Sequence, residues 1–94
     1  MGQESKKSTR SQEFDLFREV IREARVDAGM SQRQLSRLMG LHPTSGRKIE
    51  EGIRNLDVVE FVQLARALNR DPLELLEVFL KREAQIRDHM SDGG

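Results

Sequence analysis

The sequence predicts an all-α domain built from five helices. Three observations carry this. Apolar residues recur at three- and four-residue spacing in five separate stretches. Capping residues stand where each stretch starts or stops. No stretch alternates apolar and polar residues as a half-buried strand does. With 94 residues the chain is expected to form one small domain. A domain of that size buries only about 60% of its unfolded surface, so its core must be economical.

The first predicted helix carries Phe14, Phe17, Val20 or Ile21, Ala24 and Ala28, and Gly29 closes it. Ser31 reads as the N-cap of a short second helix over 32–39, with Leu35, Leu38 and Met39 on one side. Gly40 makes the following turn, and Leu41 drops back toward the core. A third helix is expected from Pro43 to Glu51, with His42 as its N-cap and Gly52 as its stop. Asp57 caps a fourth helix through Val58, Phe61, Val62, Leu64, Ala65 and Leu68, ending at Asn69. Asp71-Pro72 opens a fifth, with Leu73, Leu76, Phe79 and Leu80 on one face, reaching past Ile86 toward Met90. Residues 1–12 read as a disordered polar tail, 13–82 as the domain, and 83–94 as a helix extension with a frayed end.

Composition removes several function classes. There is no cysteine, and the two histidines, His42 and His89, are far apart, so no metal cluster is expected. No paired acids or glycine-rich phosphate loop suggest catalysis, so neither an enzyme nor a cofactor is expected. No apolar run approaches the ~20 residues that span a bilayer. The polar first dozen lacks the apolar stretch of a signal peptide. A cytoplasmic, nucleoid-associated protein is the expectation.

Net charge is zero, but it is unevenly spread. Residues 31–56 carry Arg33, Arg37, Arg47, Lys48 and Arg54 against Glu50 and Glu51, a net +3. Residues 57–80 carry Arg66 and Arg70 against Asp57, Glu60, Asp71, Glu74 and Glu77, a net −3. Lys6, Lys7 and Arg10 make the N-terminal dozen basic as well. A polyanion can approach one side of such a dipolar chain while the other repels it.

Two short helices joined by a tight glycine turn have the spacing of a helix-turn-helix. In that motif the first helix crosses the DNA backbone and the second enters the major groove, where all four base pairs are distinguishable. At 100° per residue, Gly46 and Ile49 share the core side of the third helix. Thr44, Arg47 and Lys48 point outward, with Pro43 at the margin.

The stretch SQRQLSRLMGLHPTSGRKIEEG, residues 31–52, resembles the phage Cro/repressor-type helix-turn-helix, also called the xenobiotic-response-element type. Ser31-Gln32, Leu35, Gly40, Ile49-Glu50 and Gly52 fall at the family's positions, and residues 56–76 resemble its last two helices. The resemblance implies a compact five-helix, lambda-repressor-like DNA-binding domain. It implies a sequence-specific, repressor-like regulator of double-stranded DNA, acting as a homodimer. Gln32 would cap the phosphate-facing end of the second helix, and Pro43, Thr44 and Lys48 fall at base-contact positions. Arg47 lies beside them, and Arg54 and Asn55 sit in a loop near the backbone. Arg33, His42 and Ser45 complete the expected contact set. Arg25 and Glu50 would form a structural ion pair.

Three departures stand out. Pro43 replaces a base-reading Gln or Arg. Gly46 replaces a Val or Ile that plugs the core, and Ser36 replaces Ala. Gly46 is therefore expected to leave a gap and to make the third helix short or mobile until DNA binds. Softened base reading also leaves an alternative, a protein-interaction module of antitoxin- or anti-repressor-like kind. Leu76, Phe79 and Leu80 are expected in the core, while Ile86 and Met90 are expected to meet a second copy.

Overall fold

The computed structural model describes the backbone of residues 9–92 and the side chains of residues 11–88. It contains α1 (Thr9–Asp27), α2 (Gln32–Leu38), α3 (Ser45–Glu50), α4 (Val58–Ala67) and α5 (Pro72–Asp92), with no strand among the described residues. α1 begins at Thr9, so residues 9–12 belong to a helix and not to a tail. Lys6 and Lys7 lie outside the described residues.

Local sequence chemistry sets the boundaries. Ser31 Oγ accepts the Gln34 N–H at 3.1 Å while Gln34 Oε1 accepts the Ser31 N–H at 2.8 Å, a reciprocal capping box. Asp57 and Glu60 repeat this arrangement at the start of α4. Asp71 Oδ1 accepts the Leu73 N–H at 2.9 Å and opens α5 behind Pro72. Gly40 turns the chain out of α2 at φ +72°. Asn69 does the same after α4 at φ +59°, a left-handed conformation that Asn tolerates better than most residues.

The core gathers Val20, Ile21 and Ala24 from α1, Leu35 from α2, Leu64, Ala65 and Leu68 from α4, and Leu75 from α5. Phe17 bridges two elements, its ring centroid 5.6 Å from those of Phe61 and Phe79. The contact with Phe79 is edge-on, the arrangement that aromatic quadrupoles favour. Leu75 is fully buried, whereas Leu76 and Leu80 are 37% and 49% exposed, so the expected core face of α5 is corrected. α5 packs inward through Leu75, Val78 and Phe79. Leu73, Leu76 and Leu80 form a second stripe turned outward. Val58 is also exposed and not part of the core.

The buried sides of α2 and α3 place the outer surface of the pair. Ile49 of α3 is 3% exposed, and the two helices pack directly on each other.

Candidate nucleic-acid interface

α3 is shorter than its sequence suggests. It starts at Ser45, with Thr44 as N-cap, and so excludes Pro43. Pro43 and His42 lie in the loop before it, both exposed. His42 is not the cap residue; its Nδ1 accepts the Thr44 N–H at 3.2 Å and lies 2.9 Å from Thr44 Oγ1. The Ser45 N–H donates to the His42 carbonyl at 2.9 Å, which tightens the entry to the helix.

The two-residue shift leaves the helical phases intact. Arg47 is exposed and Thr44 and Lys48 are half-buried, while Gly46 and Ile49 are buried. Ser45 is also buried, at 6% exposure, and so is withdrawn from the expected contact set. Its place four residues before Ile49 puts it on the inner side of any helix, a signal already present in the spacing.

Three basic residues in or beside this region, Arg47, Arg54 and Arg25, are tied to acids. Arg47 Nη1 lies 2.9 Å from Glu51 Oε1, in an exposed pair one helical turn apart. Arg54 holds the Glu60 carboxylate with its two terminal nitrogens, at 2.7 and 3.4 Å. That hydrogen bond, followed by the Asp57 N–H, keeps the Glu60 carboxyl below the ordinary glutamate range. Arg25 holds Glu50 through Nε and Nη2 at 2.6 and 3.1 Å and donates Nη1 to the Met30 carbonyl at 2.8 Å. Arg33, Arg37 and Lys48 make no ion pair among the described residues. Arg33, Arg37 and Asn55 are exposed.

Gln32 does not simply face outward. Its side-chain nitrogen donates to Glu50 Oε1 at 2.9 Å, so it joins the Arg25–Glu50 pair. Three elements meet there: α1 through Arg25, α2 through Gln32 and α3 through Glu50. Glu50 has only 4% of its side chain exposed, so its charge depends on these donors.

The expected gap at Gly46 is absent. A Cβ built there would stand 2.5 Å from the Gln32 carbonyl oxygen and 3.0 Å from Ser36 Oγ. The glycine allows α3 to approach α2 closely. Ser36, fully buried, donates to the Gln32 carbonyl at 2.9 Å and accepts the Gly46 N–H at 2.7 Å. Two of the three departures from the family pattern, Ser36 and Gly46, therefore meet in space.

Comparison with known proteins fits this geometry. A helix-turn-helix family model matches residues 21–75, more than half of the chain. The chain belongs to the Cro/repressor-type helix-turn-helix family. Its members are DNA-binding transcription regulators, and this chain is one by its family. Among solved structures, it is similar to an XRE-family like protein from Pseudomonas syringae pv. tomato. That match has 29% identity and a TM-score of 0.72, covering 78% of this chain and 89% of the other. It is also similar to the restriction-modification controller protein C.AhdI from Aeromonas hydrophila. Here identity is 37% and the TM-score 0.60, with 66% and 94% of the two chains covered. No curated protein matches the sequence significantly. Among the described residues, no helix is long and apolar enough to cross a membrane.

Proposed function

We propose that this helix-turn-helix protein is a sequence-specific, repressor-like regulator that places α3 in the major groove as a homodimer. The carrying observation is the division of α3 into two sides. Gly46, Ile49 and Glu50 hold it to α1 and α2, which leaves Thr44, Arg47 and Lys48 for DNA. Lys48 is a cation with no ion-pair partner among the described residues, suited to a phosphate or a guanine edge. Arg47 can exchange its exposed bond to Glu51 for a phosphate, because an exposed pair is worth only about 0–1 kcal/mol. Arg33, Arg37 and Asn55 flank this side as backbone contacts, and Pro43 and His42 approach the groove from the loop.

Dimerisation is supported by a different surface from the one expected. Leu73, Leu76 and Leu80 stand at i, i+3, i+7 on the outer side of α5 and are substantially exposed. Leu76 also borders an open groove of about 350 Å³ lined by Glu13, Phe14, Phe17 and Phe79. A second groove of about 210 Å³ continues from Leu76 past Leu56 and Val58. An apolar surface of this kind suits a second copy. Two α3 helices then read half-sites roughly 34 Å apart. Ile86 is half-buried, and the side chain of Met90 lies outside the described residues. This reading carries with it a cytoplasmic, nucleoid-associated protein.

Selection from random duplexes with the purified protein tests this reading. A two-fold-related consensus is the expected result. Binding that never rises above the non-specific level, even at low salt, overturns it. The interaction-module reading draws on the pairing of Arg54 with Glu60 and of Gln32 with Glu50, which reduces the free DNA-facing groups. Capture of a protein partner through α3, without DNA affinity, would favour that second reading.

A further inference from the structure

α3 takes its N-terminal cap from another helix. The first-turn N–H groups of a helix have no acceptor within it. Thr44, the cap residue of α3, makes no side-chain cap bond. The Gly46 N–H instead donates to Ser36 Oγ of α2 at 2.7 Å. The same hydroxyl donates to the Gln32 carbonyl at 2.9 Å. One buried hydroxyl therefore joins the backbones of two helices. The bond needs close approach, and close approach needs position 46 to lack a Cβ. Ser36 and Gly46 are complementary: neither serves without the other.

α3 has six residues and is held at both ends. Glu50 anchors its C-terminal end through Arg25 and Gln32. Ser36 anchors its N-terminal end. We propose that Ser36 is a positioning residue for DNA reading: its hydroxyl sets the height and rotation of α3 on α2 and so aims Thr44, Arg47 and Lys48. The functional half of this inference rests on α3 being the reading helix. The geometric half does not.

The test is Ser36→Ala, with helix content confirmed by circular dichroism. Alanine fits the space but leaves the Gly46 N–H buried without an acceptor. The Gly46 amide should exchange faster by about tenfold or more, while amides in α4 change little. Affinity for the preferred duplex should fall about tenfold relative to an unrelated duplex, whose binding rests on phosphate charge. A purely structural role would lower both affinities together and leave their ratio intact. Ser36→Cys, with a weaker hydrogen-bonding sulfur, should fall between the two and serves if the alanine variant does not fold. Adding Gly46→Ala to Ser36→Ala should not rescue either readout, because the 2.5 Å contact is with the Gln32 backbone.

Unchanged exchange at Gly46 in Ser36→Ala overturns the cap. Faster exchange with an unchanged duplex ratio overturns the positioning role. If the wild-type protein prefers no duplex, the reading of α3 falls and the positioning role with it. The Gly46 amide separates that failure from an absent cap.

Discussion

Glu50 and Gly46 show how single residues in α3 are constrained by neighbours distant in sequence. The Arg25–Glu50 pair is largely desolvated, with 13% and 4% of the side chains exposed. Removing one member leaves a buried charge without its partner, which costs about 3–5 kcal/mol. Arg25→Met should therefore lower the denaturation midpoint sharply, and adding Glu50→Leu should recover part of the loss. Urea titration of the two variants measures both effects. Gly46→Ala should destabilise the protein by about 1–3 kcal/mol, as an overpacked core substitution does, despite alanine's better helix propensity. Thermal melting checks it; an unchanged or raised midpoint would mean that α3 shifts freely. The sequence places Gly46 on the inner side of α3 from spacing alone. It does not reveal that the Ser36 hydroxyl stands against Gly46 and accepts its N–H, because that depends on the distance between two helices. Ser45 was legible in principle, since its spacing from Ile49 puts it inside.

At the scale of elements, caps were the most readable feature. Ser31, Asp57 and Asp71 cap their helices through their own side chains, so local sequence is enough. α3 starts later than spacing suggests because proline suits either a helix's first turn or the loop before it. The inner face of α5 differs from the expected one for another reason. Leucine and phenylalanine occur on more than one side of that helix, and periodicity cannot choose between Leu75–Phe79 and Leu73–Leu76–Leu80. The outward stripe leads to a prediction. By sedimentation equilibrium the wild type should dimerise, and Leu76→Asp with Leu80→Asp should give a folded monomer at the same concentrations. A wild type that stays monomeric on its operator would reject this surface.

Acid sensitivity also belongs to the elements. Hydrogen bonds from Arg54 and Arg82 hold Glu60 and Glu23 below the ordinary glutamate range. Such groups stabilise the fold above their unfolded pKa of about 4.3, and that stabilisation is lost as pH falls through their folded values. Glu13, which shares a hydrogen bond with Glu83, is shifted upward and acts in the opposite sense. Through Glu60 and Glu23 the melting temperature should fall on acidification below about pH 4, with Glu13 opposing that fall. Glu60→Gln should make that dependence shallower. All three side chains are only partly buried, so solvent screens them and the slope should be modest.

Across the whole molecule, zero net charge conceals a basic 31–56 segment followed by an acidic 57–80 segment. Five helices in order were legible because spacing and caps are local properties, and the family because residues 31–52 resemble its motif. The state of each cation was not. Lys48 and Arg33 remain unpaired among the described residues, while Arg54 is held by Glu60, and only the folded arrangement distinguishes them. Affinity for duplex DNA should fall steeply with salt, and Lys48→Ala should reduce the slope by about one ion. The most direct test of the outer side of α3 as the DNA-reading surface is binding of Arg47→Ala with Lys48→Ala to the duplex selected by the wild type. The double variant should bind at least about tenfold more weakly while melting normally, because one to three kcal/mol attends each good base contact. Undiminished binding by that folded variant would contradict the assignment.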